Sequence, residues 1–402
     1  MRFSPRLKNG FMRLSGELFN RLLFLAALVQ RFFRKQQDKK RLLLVRTDSI
    51  GDFILFSPCL VHYREHFPEY EITLLVSDAV LNLAEMCPHV DSVWSIDKAN
   101  FQYSWYERYN WYRKIAGHGF DIAINAVYSP HIPSPVECLT GWSVAPKRIA
   151  FECLTSRKVY RNNYTLYYTD FVPESGRGIF EMERNFILLR FLGYAGKTET
   201  QTTVWTSLID EKVVSGLLAP LGTTAYAVLF PGAQDQIRIW YGHNYVEAIV
   251  SINSKHQLNW IVCGDAGESG LCVDIVKALQ NHSINAVSLA GTTSLREAAL
   301  VIKDAVLYLG SESMGAHLAA AMSVPAVCIL GGGHYGRFYP YPENSLTVAV
   351  THKTDCYNCD WICTQKRVSC IENISVEQAV TAMDTLLTEH RCGTQKRPVI
   401  VT

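Results

Sequence analysis

The sequence predicts two Rossmann-like α/β domains in series, each a doubly wound parallel sheet, preceded by an amphipathic helix. The chain has 402 residues, which is more than one hydrophobic core organises comfortably. From residue 41 onward, short β-branched or leucine-rich runs alternate with helical patterns, as in parallel α/β sheets. With 48% hydrophobic residues and a mean hydropathy near zero, the composition excludes disordered, collagen-like and multispan membrane proteins.

The first element is a basic segment, residues 1–40. Residues 1–41 contain eleven Lys or Arg against only Glu17 and Asp38, although the formal net charge of the whole chain is +2. The remaining residues therefore carry a net charge of about −7. On a helical wheel, residues 11–33 place one set of apolar side chains on a single face: Leu14, Leu18, Leu22, Leu25, Val29, Phe32 and Phe33. Arg13, Asn20, Arg31 and Arg34 fall on the other side.

This helix does not have the pattern of a transmembrane segment. Its longest apolar run, residues 22–29, is far shorter than the roughly 20 residues needed to span a bilayer. Cations follow the run directly and no small-residue cleavage site intervenes, which argues against a signal peptide. Two interpretations remain open: the helix lies on an anionic membrane surface, or it packs its apolar face against its own protein.

The first sheet is predicted over residues 41–203. Its strands are expected at 41–46, 71–77, 91–96 and 121–127, with helices near 52–66, 78–86 and 105–116. A looser segment at 153–178 precedes a helix at 179–193, and residues 193–203 have the composition of a linker.

The second sheet is predicted over residues 204–390, followed by a tail at 391–402. Its strands are expected at 225–231, 259–263, 285–289, 305–310 and 325–330, with a closing helix at 375–389. Ligands of open parallel sheets bind beyond the carboxyl ends of the strands. We therefore expect a cleft between the domains and seek the chemistry in the loops that follow strands.

In the first domain, the loop RTDSIGD at 46–52 places the carboxylate of Asp52 at the start of a helix. Gly51 permits a tight turn, and an acid at a helix start gains from the macrodipole. Asp52 is thus a carboxylate at a sheet edge that faces the expected cleft, with helix capping as the alternative. Asp48 has the same ambiguity.

In the second domain, three successive loops carry candidate ligands for a nucleotide. Arg238 follows the first strand, and its guanidinium suits phosphate oxygens. Glu268, four residues after Gly264, suits sugar hydroxyls, or caps a helix. Thr293 precedes Ser294-x-x-Glu297, a capping box by sequence.

Two later loops add candidates for binding a diphosphate. The segment at 310–325 runs from a strand into a helix whose start carries Glu312, Ser313, Met314, Gly315 and His317. Backbone N–H groups at such a start attract anions. The glycine-rich segment at 331–342 follows, with His334 and Arg337 as cationic candidates.

Together, RTDSIGD at 46–52, PGAQDQIRIW at 231–240, the pair Gly264 and Glu268, GTTSLRE at 291–297 and SESMGAHLAAA at 311–321 resemble glycosyltransferase family 9, the lipopolysaccharide heptosyltransferase family. The resemblance covers roughly residues 41–390 and implies a GT-B fold, with the acceptor bound by the first domain and the nucleotide-sugar by the second. It also implies inversion at the anomeric carbon. By motif, Asp52 is the general base, Arg238 contacts the donor phosphates where the family usually has Lys, and Glu268 holds the ribose.

One motif departs from the family pattern. The family usually has Asp-Ser/Thr-Gly-x-x-His, whereas this chain has Glu312, Ser313, Met314, Gly315, Ala316 and His317 in sequence. The longer Glu and the Met in place of Gly bear on the donor, so ADP-heptose is favoured and another nucleotide-sugar stays open.

The resemblance implies an inverting glycosyltransferase that moves a sugar, in the favoured case heptose from ADP-heptose, to a lipid-linked saccharide such as a lipopolysaccharide core. We expect a cytoplasmic protein, peripheral on the cytoplasmic face of the inner membrane where its helix binds lipid, with no nucleic-acid partner. No cofactor is expected for catalysis, because no DxD-like metal clamp is evident. A catalytically silent nucleotide-sugar-binding protein is the alternative, and a sugar-nucleotide epimerase of the same fold is disfavoured.

Four of the twelve cysteines, Cys356, Cys359, Cys363 and Cys370, lie within residues 356–370. Most of the others sit singly in apolar runs, which indicates a reducing compartment. Four thiolates at this spacing suit structural Zn²⁺, with an iron–sulfur cluster less favoured and reduced thiols or a disulfide as alternatives. The acceptor pocket is expected in loops 103–112, 130–142 and 160–177, with Arg157, Lys158 and Arg161 as cations suited to a sugar phosphate.

Overall fold

The computed structural model describes residues 5–33, 38–129, 136–153, 164–173, 176, 178–198, 200–222, 224–341 and 346–391. The chain divides into two compact units, which we describe separately. The first unit comprises Met1–Phe53, Cys59–Gly176 and Arg184–Glu199. The second unit comprises Ile54–Pro58, Arg177–Glu183 and Thr200–Thr402.

The first unit is built on a six-stranded parallel sheet with the order β3-β2-β1-β4-β5-β6. The strands are β1 Lys40–Arg46, β2 Tyr70–Ser77, β3 Ser92–Ile96, β4 Ile122–Asn125, β5 Lys147–Phe151 and β6 Asp170–Val172. The central strand β1 reads as one apolar run, and Leu42, Leu43 and Leu44 are fully buried, because helices cover both faces of a parallel sheet. The helices are α1 Pro5–Phe32, α2 Ile50–His66, α3 Asp78–Ala84, α4 Lys98–Tyr103, α5 Trp105–His118, α6 Glu137–Trp142 and α7 Glu181–Phe191.

The second unit repeats the same strand order in its own numbering, as β9-β8-β7-β10-β11-β12. Its strands are β7 Tyr226–Phe230, β8 Asn259–Val262, β9 Ala286–Ser288, β10 Leu307–Ser311, β11 Ala326–Leu330 and β12 Thr347–Thr351. Its helices are α8 Leu208–Leu218, α9 Gly242–His256, α10 Ser269–Asn281, α11 Leu295–Lys303, α12 Met314–Ala321, α13 Ser369–Glu372 and α14 Val376–Arg391.

Three strands were not predicted from the sequence: β5, β6 and β12. β5 and β6 lie at the edge of the first sheet, and β6 spans only three residues. β12 closes the edge of the second sheet against β11, just beyond the residues 342–345 that fall outside the described part of the chain. β6 and β12 are edge strands and β5 is the strand next to an edge; each has five residues or fewer, and runs this short give weak periodicity.

The N-terminal helix is present as predicted, but it packs in an unexpected orientation. Among the described helices, none is both long and apolar enough to cross a bilayer. Asn20, which the wheel places on the polar side, is buried together with Leu23, Phe24 and Ala27. Six residues of the predicted apolar stripe are instead exposed: Leu18, Leu22, Leu25, Val29, Phe32 and Phe33. The helix therefore does not pack against the rest of the first unit through these residues.

Candidate functional site

Each sheet has a switch point where the strand order reverses, between β1 and β4 in the first unit and between β7 and β10 in the second. Loops leaving the carboxyl ends of two such strands diverge, and ligands of open α/β sheets bind there. Asp52 follows β1, Arg238 follows β7, and Glu312 and Ser313 follow β10. The sequence candidates therefore fall on the loops that the topology singles out.

Asp52 lies in the first turn of α2, three residues after the N-cap residue Ser49. Its side chain is only 12% exposed and accepts a short hydrogen bond from the Ser49 hydroxyl. The Arg46 guanidinium lies 3.7 Å from its other carboxylate oxygen. Asp52 thus lies in the first turn of the helix and at the carboxyl edge of the sheet, with its carboxylate bonded to the Ser49 hydroxyl and no side-chain cap at the helix start.

Arg46 fixes the geometry around that carboxylate. It is fully buried at the end of β1 and donates to the carbonyl of Ala126 at 2.6 Å and to Oδ1 of Asn185 at 2.9 Å. It also lies 3.0 Å from the Asp48 carboxylate. A buried cation held by two acids and two neutral acceptors is compensated, and each carboxylate is fixed in place. Sequence reasoning missed Arg46, because nothing in the apolar pattern of β1 marks its last residue as fully buried.

In the second unit, Arg238 belongs to a short 3₁₀ turn, Gln236–Arg238, after β7. Its guanidinium carbon lies 4.9 Å from the centroid of the Trp361 ring. A cation stacked on an indole is oriented without losing its charge. Trp361 is the second residue that the sequence reasoning missed. It lies in the cysteine-rich segment, residues 356–370, where only the four cysteines are predicted to have a role.

Glu268 is wedged between two glycines. A Cβ atom at Gly232 would lie 1.9 Å from its Oε1, and one at Gly264 would lie 2.6 Å from its Oε2. Glu268 also completes a capping box, accepting from the Asp265 backbone N–H at 2.9 Å. Burial raises the pKa of its carboxyl group above the ordinary value, since desolvation outweighs that hydrogen bond. Both predicted roles, cap and polar ligand at the loop edge, are compatible with this position.

Glu312 directly follows β10 and is 4% exposed. Burial raises the pKa of its carboxyl group to about 7, although the charge of Arg238 acts in the opposite direction. Its Oε2 accepts no hydrogen bond from the described part of the chain. The structure thus places this acid within the electrostatic reach of Arg238.

The start of α12 follows directly. Ser313 is the N-cap residue in extended conformation, and its side chain makes no capping hydrogen bond to the helix. Gly315 lies so close to Phe230 and Tyr308 that a Cβ atom would come within 2.7 Å of each. The first backbone N–H groups of this helix, at Met314 and Gly315, are of the kind that binds anions.

His317 and Arg337 make contacts of their own within the second unit. His317 is 5% exposed, and one ring nitrogen lies 2.9 Å from the Tyr341 hydroxyl. Arg337 lies 3.1 Å from the carboxylate of Glu181, which is fully buried. Glu181 is a third residue that the sequence did not indicate. The lesser candidate His334 lies 3.7 Å from the carboxylate of Asp360.

Thr293 is half-buried in the loop before α11. The predicted capping box behind it is confirmed, with Ser294 accepting from the Glu297 N–H and Glu297 accepting from the Ser294 N–H. The same loop is held to the Glu268 loop by the Gly291 N–H, which donates to the Gly264 carbonyl at 2.9 Å. Thr293 and Glu268 are therefore carried by adjoining loops.

The four clustered cysteines are not brought together as a ligand set. Cys370 is buried, Cys356 and Cys359 are half-buried, and Cys363 is exposed. Among the described residues, no three of these sulfur atoms lie within 4.8 Å of one another. As placed, the thiols do not form a ready tetrahedral site, and the zinc hypothesis stays a prediction.

The predicted acceptor loops are only partly described. Residues 103–112 lie on α4 and α5, while Arg157, Lys158 and Arg161 fall outside the described residues, as do residues 130–135. The tail is described only to residue 391. The acceptor pocket therefore stays a prediction.

Comparisons with known proteins find a family match over part of the chain and similar relatives over most of it. The model of glycosyltransferase family 9 (heptosyltransferase) matches residues 174–366. Lipopolysaccharide heptosyltransferase 3 of Escherichia coli strain K12 is 23% identical over 304 residues, which are 74% of this chain and 84% of that protein.

Two solved structures share the fold. The glycosyl transferase family 9 protein of Veillonella parvula has a TM-score of 0.75 at 18% identity, over 88% of this chain and 99% of that one. The ADP-heptose lipopolysaccharide heptosyltransferase II of E. coli has a TM-score of 0.66 at 15% identity, with the same coverage. The two-domain α/β fold is thus the GT-B fold of heptosyltransferases, as the sequence predicts.

Proposed function

We propose that this chain, a glycosyltransferase with a family 9 domain, is an inverting enzyme that transfers a sugar from a nucleotide-sugar to a lipid-linked saccharide. The favoured donor is ADP-heptose and the favoured acceptor a lipopolysaccharide core. The observation that carries the proposal is Asp52, a carboxylate held at the carboxyl edge of the first sheet by Arg46 and Ser49. A protein that only bound nucleotide-sugars would not need this base, so the silent alternative is not favoured.

In the proposed reaction, the carboxylate of Asp52 accepts the proton of an acceptor hydroxyl. The hydroxyl oxygen forms its new bond to the anomeric carbon while the bond from that carbon to the diphosphate oxygen breaks on the opposite face. The configuration therefore inverts. A base positioned in this way contributes roughly 10²- to 10⁴-fold to the rate.

The leaving diphosphate gains negative charge as the bond breaks. Arg238 and the N–H groups of Met314 and Gly315 are the groups that we assign to it, because a fixed guanidinium and a helix start both stabilise developing anionic charge. Glu268 would accept hydrogen bonds from the ribose hydroxyls. Glu312 and Met314 are the residues by which donor preference would differ from that of relatives with the usual motif.

The test is sugar transfer from ADP-heptose, and from a panel of other nucleotide-sugars, to a truncated lipopolysaccharide core. Asp52→Asn should lower the turnover number about 10²- to 10⁴-fold. The matched control is Asp274→Asn, an exposed acid on α10, which should leave turnover unchanged. Turnover of Asp52→Asn within a few-fold of the wild type, on a substrate pair that the wild type uses well, would refute the base assignment.

A further inference from the structure

The N-terminal helix α1 leaves an apolar stripe uncovered. Its side chains are exposed by fractions that run from 54% at Leu25 to 88% at Phe32. Five of them are spaced three or four residues apart and the sixth is adjacent to the fifth: Leu18, Leu22, Leu25, Val29, Phe32 and Phe33. Scattered apolar residues are ordinary on a protein surface, whereas a continuous apolar patch marks an interaction site. We call these six residues the α1 stripe.

The α1 stripe cannot pack against the first unit as α1 is now placed, because the opposite face of α1 already packs against Arg108 and Trp142. The backbone carbonyl of Asn20 accepts from the Trp142 indole at 3.0 Å, and its side chain accepts from Arg108 at 3.2 Å. A Cβ atom at Gly16 would lie 2.6 Å from the Arg108 guanidinium. Rolling the helix to bury the stripe would break these contacts.

Exposed aromatic side chains continue the surface beside the α1 stripe. Trp105 is 50% exposed, and its ring centroid lies 4.7 Å from that of Phe19, next to Leu18. Tyr103 is 66%, Tyr106 72% and Tyr109 46% exposed on the same α4–α5 segment. Trp and Tyr are the residues that favour the headgroup level of a bilayer, where a ring has an apolar body and a polar tip.

The charge of this region distinguishes among partners. Residues 1–41 carry eleven Lys or Arg against two acids, and Arg31 and Arg113 are exposed on α1 and α5. An anionic lipid surface attracts such a segment, by about 1 kcal/mol for each basic residue near the surface. A second copy docking through the same patch would bring two basic segments together, because a two-fold interface pairs identical surfaces.

From the stripe, the aromatic neighbours and the charge, we propose that the first unit docks on an anionic membrane surface through the α1 stripe and the exposed aromatic residues of α4 and α5. The helix then lies in the plane of the headgroups with its anchored face toward the protein. The inference goes beyond the proposed function and does not rest on it, since docking requires neither donor nor base.

The test is cosedimentation of the full chain with vesicles of phosphatidylcholine containing phosphatidylglycerol, and with vesicles of phosphatidylcholine alone. The wild type should pellet with the anionic vesicles and release as salt rises, because ionic attraction is screened. A variant that combines Leu18→Gln, Leu22→Gln, Leu25→Gln and Val29→Gln should partition at least about tenfold more weakly. These positions are exposed, so the substitutions leave the buried face of α1 intact.

The matched control combines Leu208→Gln and Ile209→Gln, which are 83% and 76% exposed on α8 of the second unit. This variant should bind vesicles as the wild type does. A second readout is quenching of tryptophan fluorescence by brominated lipid, which Trp105→Phe should reduce, since Trp105 lies beside the stripe.

Equal pelleting of the wild type and the fourfold Gln variant would overturn the proposal. The proposal would also be overturned if the wild type did not bind vesicles but formed a dimer in sedimentation velocity, and the fourfold variant did not form that dimer. Asp52→Asn should bind vesicles normally while losing transfer, so failure of the docking proposal and failure of the catalytic one give different results.

Discussion

Glu312 shows how the surroundings of one residue in the second unit determine the pKa of its carboxyl group. The family motif usually has Asp at this position. Glu312 is one methylene longer, and the residue is 4% exposed. The carboxyl group has Arg238 as its cationic neighbour, yet burial wins and raises its pKa to about 7. At neutral pH this acid is therefore divided between a neutral form and a charged form that the pocket opposes.

A pH dependence of stability follows. An acid with a folded pKa of about 7 against an ordinary pKa of 4.5 holds its proton to higher pH in the folded protein, so the folded state loses stability as pH rises from about 4.5 to about 7. Glu312→Gln should remove this loss, which is on the order of 1–3 kcal/mol. The melting temperature of the wild type relative to the variant should thus fall as pH rises from about 4.5 to about 7.

The control for this comparison is Glu247→Gln, an exposed acid on α9. Its pH profile should run parallel to that of the wild type. Parallel profiles for Glu312→Gln and the wild type would contradict the assignment of a raised pKa to Glu312.

At the scale of elements, the cysteine-rich segment, residues 356–370, packs over the glycine loop at residues 331–333. The N–H groups of Asn358 and Asp360 donate to the carbonyls of Gly332 and Gly333 at 2.7 Å and 3.0 Å. A Cβ atom at Gly331 or Gly333 would lie 2.4 Å or 2.3 Å from the Trp361 ring, so only glycine fits beneath the indole. These three glycines belong to the segment predicted to bind a diphosphate, and the structure shows them in contact with the cysteine-rich segment.

Trp361 connects this segment to the donor site because its ring lies under Arg238. Trp361→Leu keeps an apolar side chain over the glycines but removes the cation–π contact, worth about 0.5–2 kcal/mol. We expect the affinity for the nucleotide-sugar to fall about 3- to 30-fold, with a smaller effect on the turnover number. Steady-state kinetics at varied donor concentration separates the two parameters.

The neighbouring Ile362 supplies the control. It is 74% exposed, so Ile362→Ala should leave donor affinity unchanged. An unaltered KM for the donor in Trp361→Leu would show that Arg238 is positioned without the indole.

At the scale of the whole molecule, the alternation of strands and helices in the sequence was enough to predict two parallel-sheet units. The family motifs selected Asp52, Arg238 and Glu268, which lie on loops that follow β1, β7 and β8, and their roles stay predictions. What the sequence could not supply were contacts between segments distant along the chain. The buried hydrogen bond of Arg46 to Asn185, the Glu181–Arg337 pair and the stacking of Trp361 on Arg238 join residues whose proximity no local pattern encodes.

The N-terminal helix illustrates the same limit. Its sequence has apolar residues on more than one side, and a wheel selects the face that holds Leu18, Leu22 and Leu25 as the apolar one. Asn20 and Gly16 decide otherwise, because a small residue and an amide fit against Arg108 where a leucine would not. The face of α1 that packs on the first unit is therefore set by its packing partners, which a helical wheel does not contain.

The last prediction concerns the division of labour between the two units. If donor binding belongs to the second unit and the base to the first, each should be lost separately. ADP at about 100 times its dissociation constant should stabilise the wild type by about 2.7 kcal/mol, and more than UDP, GDP or CDP at the same concentration. Asp52→Asn should keep this stabilisation while losing transfer. Arg238→Met should lose most of it.

Adenosine provides the internal control, because it has no phosphate and its effect on the melting temperature should be equal in Arg238→Met and the wild type. Arg367→Met is the matched arginine control, since Arg367 is 72% exposed and pairs with Glu372 elsewhere on the second unit. Loss of the ADP effect in Asp52→Asn, or its full retention in Arg238→Met, would contradict the division, because it would mean that the diphosphate is recognised by groups other than those that follow β7 and β10.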